Sequence, residues 1–139
     1  RKAFYRYFSN KDGALLALID HTLHDLITNH LHNKINAVDK IETMEHFFSY
    51  WLEKKTLLDV LAANNLSGIL LQRAINSTPE YEPMLDALSL SNSSIRARRY
   101  KVYFIITGII SLVIQWHKNH FDKTPLQMAK LAVELLPQQ

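Results

Sequence analysis

VYFIITGIISLVIQW, residues 102–116, decides the architecture of this chain. Only Thr107, Gly108, Ser111 and Gln115 interrupt its apolar residues, and they do not merge into a broad polar face. A helix on the surface of a globular protein keeps much of its circumference polar. This stretch has no such reserve, so both of its sides call for cover. Length disfavours lipid, because fifteen residues at about 1.5 Å each span roughly 22 Å against a hydrocarbon core of about 30 Å. Bases also stand at both ends, with Arg96, Arg98, Arg99 and Lys101 before it and His117 and Lys118 after it. The stretch therefore reads as a helix in the middle of a domain. Gly108 near its centre costs about 1 kcal/mol relative to Ala, and the usual physical return is close approach of another backbone. Thr107 and Ser111, one turn apart, add a second narrow surface.

The last helix points the same way. Thr124-Pro125 is a helix start, with Gln127 completing a Thr-x-x-Gln capping box. Beyond it Gln127, Lys130 and Glu134 form one thin polar line, while Leu126, Met128, Leu131, Val133, Leu135 and Leu136 fill most of the rest. Two successive helices with more apolar surface than one neighbour can hide, in a chain of 139 residues, are explained by a twofold partner. The expected homodimer contact is Gly108, Ser111, Leu112, Gln115, Met128, Leu131 and Leu135.

Composition fits one soluble all-α domain, with hydrophobic residues at 47%, charged residues at 21%, and only 3 Gly and 4 Pro. With no Cys, disulfides and thiolate metal sites are out, and a cytoplasmic location is the expectation. No signal peptide is visible. The chain starts at Arg1 without a Met, and residues preceding it are expected.

Net charge is +3, unevenly spread. Residues 1–11 hold Arg1, Lys2, Arg6 and Lys11 and no acid, residues 12–95 net −6, and residues 96–139 net +5. A basic head on an acidic middle points to an anionic partner at the N-terminal end. That head, RKAFYRYFSNKDGALL, interleaves bases with aromatics and then shows a helix start at Ser9 or Asn10. Bases and aromatics on a short helix contact phosphates and base edges. The same residues also suit an aromatic-rich capping turn with solvated bases.

Phe4-Tyr5-Arg6-Tyr7-Phe8-Ser9-Asn10-Lys11-Asp12 resembles the end of the helix-turn-helix of TetR-type transcription regulators. That family's pattern is Phe-Tyr, a basic or aromatic pair, Phe, two variable residues, Lys, an acid and a Leu-rich helix. The sequence departs from it at Ala14, where Leu is usual. The resemblance implies a TetR-like helical bundle in which residues 1–16 end a DNA-binding domain and residues 17–139 form a ligand-binding and dimerisation domain. It implies that the first eight residues are a recognition helix, with two more helices before them. Arg1, Lys2, Tyr5, Arg6, Tyr7 and Lys11 would face operator DNA, Tyr5 and Lys11 on phosphate. Phe4 and Phe8 would pack the reading head. The implied activity is a transcription regulator, a repressor by default, that responds to a small-molecule effector. A TetR-fold interaction module or coactivator that does not bind DNA is the alternative. The last two helices loosely resemble the four-helix dimer interface of such regulators.

Between these ends the apolar spacing predicts a helix over residues 14–31, one capped by Asp39 with Glu42 completing its box, a short helix from Thr56 to Asn64-Asn65, and another over residues 66–75. A turn is expected at residues 33–38, and within residues 77–94 a helix start at Thr78-Pro79-Glu80 and a flexible connector over residues 89–94. His30, Phe47, Tyr50, Trp51, Leu70, Leu71 and Phe104 are candidates for lining an effector cavity; an aromatic stripe at helical spacing is also plain core. His21, His24 and Asp25 have a spacing that can share a metal ion, but they sit on a polar face, and solvation is the simpler reading. The bases at 96–101 fit a solvated helix start facing Glu80, Glu82 and Asp86. No metal or cofactor is expected, and no enzyme, since a Gly-rich phosphate loop, an HExxH pair and a Cys nucleophile are all missing.

Overall fold

Helix α1, Lys2–Asp25, opens the computed structural model, which describes the backbone of residues 2–31, 39–77 and 95–136 and the side chains of residues 13–30, 39–77 and 100–136. The turn expected at 33–38, and the helix start and connector expected after Ser77, with Glu80, Glu82 and Asp86, lie outside the described residues. The helix start expected at Ser9 or Asn10 is not formed, because α1 runs straight through both. Neither Pro nor Gly stands between Lys2 and Asp12, and Ser and Asn each cost only about 0.5 kcal/mol in a helix interior. That is too little to break a helix anchored downstream. The boundary expected after Leu16 thus falls inside α1.

The anchor is the stripe Ile19, Leu23, Leu26 and Ile27, all buried. At Asp25 the helix passes into a π-helical turn, Leu26–Leu31. Consecutive Leu26 and Ile27 both stay inside, while Thr28, Asn29 and His30 remain exposed. Buried Thr22 satisfies its hydroxyl by donating to the Leu18 carbonyl at 2.8 Å.

Helix α2, Lys40–Glu53, starts where the sequence puts it. Asp39 accepts from the backbone N–H of Ile41 at 2.9 Å and of Glu42 at 3.4 Å. It breaks at Lys54, and α3, Lys55–Ala63, follows at once without the Thr56 cap expected for it. Asn65 ends that segment with a left-handed φ of 57°, a conformation Asn tolerates better than most residues. Helix α4 is Ser67–Asn76, α5 is Ile95–Lys118 and α6 is Pro125–Leu135. The cap of α6 forms in full: the Thr124 hydroxyl accepts from Gln127 N at 3.1 Å, and Gln127 Oε1 accepts from Thr124 N at 2.8 Å.

Packing pairs α6 with α2 and α4 with α5, and α1 leans on α4. Phe47, Phe48, Trp51 and Trp116 fill the middle. Their rings meet edge to face, Phe48 on Trp116 at 5.6 Å and Phe121 on Trp116 at 4.8 Å, an arrangement worth about 1 kcal/mol per pair beyond burial. Trp116 also donates its indole N–H to the Lys123 carbonyl at 2.9 Å, tying the α5–α6 turn to the core. Every described element is helical, with no strand among the described residues, and no described helix is long and apolar enough to cross a membrane.

Candidate functional site

The periodicity of α5 divides it into two faces. Val102, Ile105, Ile106, Ile109, Ile110, Val113 and Trp116 point into the core. Tyr100, Phe104, Gly108, Ser111 and Gln115, each about one turn from the next, point outward. Phe104 is 72% exposed and Tyr100 71%, and beside them on α6 Leu135 is 61% exposed. Between α5 and α6 this face holds a groove of about 330 Å³, lined by Phe104, Gly108, Ser111, Leu112, Leu135 and Leu136 over a floor of Ile105, Ile109 and Ala132. No charged side chain occurs anywhere from 102 to 116. Contiguous apolar, aromatic-edged faces of this kind are uncommon on small soluble domains and often mark interaction sites.

Of the residues expected at a dimer contact, Gly108, Ser111, Gln115 and Leu135 lie on this face, and Leu112 and Leu131 are half-buried. Met128 does not belong with them. It is buried with Ala129 and Ala132, because α6 turns that side onto α2. The expected cavity set divides too. Phe47, Tyr50, Trp51 and Leu70 are buried together, Leu71 is half-buried and His30 is exposed. Phe104 stands on the outer face, away from the core aromatics, since position 104 is one turn from both Tyr100 and Gly108. Trp51 is fully buried, and its indole N–H has no partner among the described residues. Lys2, Tyr5, Arg6, Tyr7 and Lys11 share the N-terminal half of α1, whose backbone alone is described, and Arg1 lies outside the described residues.

No family model matches the chain, and no curated protein or solved structure matches it. Its chemistry is therefore read from its own side chains.

Three polar clusters join elements far apart in sequence. At the π-helical turn, Asp25 accepts from Asn29 Nδ2 at 2.7 Å and from the Tyr50 hydroxyl at 2.9 Å, and His30 Nε2 lies 3.4 Å away. The Asn29 amide, then the Tyr50 hydroxyl, hold the Asp25 carboxyl below its ordinary value, with His30 and Lys54 adding charge. Burial, then Asp25, drives the Tyr50 phenol the other way, above its own. The His30 ring lies tilted against that of Tyr50, with centroids 4.7 Å apart. On the other side of the bundle Asp59 of α3 takes Lys55 Nζ at 2.8 Å and His117 Nε2 of α5 at 2.7 Å. Lys55 first and His117 second pull the Asp59 carboxyl down. Arg73 of α4 grips Asp20 of α1 through two nitrogens, Nε at 2.8 Å and Nη2 closer still. Asp25–Asn29 and Lys55–Asp59 are one turn apart, but Tyr50–Asp25, Arg73–Asp20 and His117–Asp59 join residues separated by 25, 53 and 58 positions, of which helical spacing gave no sign. Of the possible metal trio, Asp25 turns to Asn29 and Tyr50, and no group of three His, Cys, Asp or Glu among the described residues could hold an ion.

Proposed function

We propose that this chain belongs to a homodimeric, TetR-like DNA-binding transcription regulator of the cytoplasm whose helical domain dimerises and senses a small molecule. The observation that carries the reading is the uncovered face of α5 and α6, with Phe104, Gly108, Ser111 and Leu135 outermost and free of charge. A twofold contact there doubles whatever each N-terminal segment does. Arg1, Lys2, Arg6 and Lys11, with no acid among them, give that segment the charge that phosphate contacts require. The bases of α1 share a helix with Ile19 and Leu23, which are buried in the core. A shift of the core therefore moves the bases. Paired recognition helices must stand about 34–36 Å apart to reach successive major grooves. An effector among Phe47, Tyr50, Trp51 and Leu70 that prefers another spacing releases DNA, given a few kcal/mol of differential affinity.

The uninterrupted passage of α1 through Ser9 and Asn10 favours a second reading, a TetR-fold interaction module that does not read DNA. One titration separates the two. The full-length protein is mixed with palindromic DNA over a range of salt, with and without Lys11→Ala. Loss of one phosphate contact lowers affinity on all sequences and reduces the salt slope by about one. Equal affinity and slope for both proteins remove Lys11 from the phosphate set, and no binding by either supports the interaction module.

A further inference from the structure

A cleft of about 240 Å³ opens between α3 and the turn that joins α5 to α6. Lys55 and Asp59 line it from α3, His117 and Lys118 from the end of α5, and His120 from the turn. Ala62 and the ring of Phe121 give it an apolar wall. Asp59 already shows how this cleft holds a carboxylate, with Lys55 Nζ on one oxygen at 2.8 Å and His117 Nε2 on the other at 2.7 Å. The side chains of Lys118 and His120 line the same space and have no bonding partner among the described residues. We propose that the cleft binds a small organic acid, its carboxylate taken by Lys118 and His120 and its apolar body laid on Phe121 and Ala62.

The backbone of the turn is held in a strained form to build this arrangement. His120 and Phe121 have φ of 56° and 53°, two left-handed residues in succession with no glycine between them. His tolerates that conformation, but for a residue as bulky as Phe it is an outlier. Packing keeps Phe121 there, its ring edge-on to Trp116 at 4.8 Å and to His117 at 5.5 Å. Backbone strain of this sort gathers at ligand sites. Charge selects an anion: even with the imidazoles counted as neutral, Lys55 and Lys118 outnumber Asp59. The turn then selects carboxylate over phosphate. Phosphate sites are commonly built from free backbone N–H groups. Here the N–H groups of Asn119, His120 and Phe121 are all engaged, by the carbonyls of Gln115, His117 and Trp116. No Arg lines the cleft to grip a phosphate through two nitrogens. Size sets the last limit, since 240 Å³ is about eight water-sized volumes, room for a small acid and too little for a nucleotide or peptide. The cleft shares no lining residue with Phe47, Tyr50, Trp51 and Leu70, so it is a second site and does not rest on the regulator reading.

Benzoate is the probe, titrated into the full-length protein at neutral pH and followed by amide and imidazole shifts in nuclear magnetic resonance. Benzamide, which keeps the ring and loses the charge, and inorganic phosphate are run beside it. The site predicts saturable benzoate shifts gathered on residues 55–62 and 117–121, with weaker binding of both comparison compounds. Lys118→Gln with His120→Asn removes the two unpaired bases while leaving at 120 a residue that accepts the left-handed turn. That pair of changes is expected to weaken benzoate roughly tenfold or more, as the loss of charge-assisted hydrogen bonds requires. Lys118→Gln alone, at an exposed helix end, spares the turn altogether and is expected to weaken it severalfold. Benzamide binding as tightly as benzoate would make the cleft an apolar slot and overturn the proposal, and phosphate binding as tightly would overturn the organic acid. Shifts centred on Tyr50 and Trp51 instead, unchanged affinity in both variants, or no shift where millimolar affinity would saturate the site each overturn it as well.

Discussion

The hydroxyl of Tyr50, on α2, lies 2.9 Å from Asp25 Oδ2 at the end of α1 and 3.0 Å from the Thr22 carbonyl. One phenol proton thus serves two acceptors on a neighbouring helix, and it does so where α1 loosens into its π-helical turn. A widened turn shifts every later side chain around the axis, which brings His30 back over the Tyr50 ring.

Removing that hydroxyl tests the junction. Tyr50→Phe keeps the ring and lowers stability by about 1–2 kcal/mol, read from urea unfolding at neutral pH. The loss is pH-dependent. Asp25 has its carboxyl depressed by Asn29 first and Tyr50 second, so its contribution is present above the unfolded carboxyl's value and is lost as pH falls through the lower folded one. The gap between Tyr50→Phe and wild type therefore narrows in acid. At the alkaline end the sign reverses. Burial and Asp25 raise the Tyr50 phenol above its ordinary 10.0, giving stability that is full below that value and lost as pH rises beyond it. Ultraviolet titration shows one late-ionising phenol fewer in Tyr50→Phe than in wild type. A gap that stays constant with pH would dissociate Tyr50 from Asp25.

Local chemistry made much of this fold legible. Asp39 and Thr124 announce α2 and α6 because a side-chain oxygen needs only the backbone two or three residues on. Asn64 caps α3, and Asn65 turns the chain through its left-handed φ. The two-sided greasiness of 102–116 identified the helix carrying the outer face. What spacing could not decide was which apolar residue faces which neighbour. Met128 and Leu135 are alike on paper, yet α2 covers only the first. Phe104 looks like core by type but falls on the stripe of Tyr100 and Gly108. The break at Lys54 and the π-helical turn carry no Gly or Pro, so nothing local marks them. The pairs Asp20–Arg73 and Asp59–His117 exist only once helices dock.

Trp51 and Trp116 are both buried, yet only Trp116 has a partner for its indole N–H among the described residues. Changing either to Phe removes similar volume, so the cost of the smaller ring largely cancels between the two. Trp116→Phe additionally loses the bond to the Lys123 carbonyl, while Trp51→Phe sheds an unpaired buried donor. Trp116→Phe is expected to be the more destabilising by about 1–2 kcal/mol. Denaturant unfolding measures it, and with 2 Trp in the chain each variant keeps one to follow by fluorescence. Trp51→Phe proving the costlier change would place a hydrogen-bond partner on Trp51 that the subunit alone does not supply, which is what an effector with an acceptor atom would do.

Phe104 and Met128 separate folding from association. Met128 is 4% exposed against α2, and Met128→Ala should cost about 2–5 kcal/mol of subunit stability by leaving a cavity. Phe104 has its ring mostly in water, so in the isolated subunit Phe104→Ser changes unfolding by no more than about 0.5 kcal/mol. If the face of α5 is where copies meet, the ordering inverts for assembly. Phe104→Ser then shifts sedimentation toward the single subunit at concentrations where wild type pairs, and Met128→Ala loses assembly only in step with folding. Sedimentation velocity paired with denaturant melts gives both readings from the same samples. A Phe104→Ser protein that is poorly folded would put that ring inside the subunit, while one that is folded and sediments as wild type would leave the exposed aromatic row of α5 without a role in association.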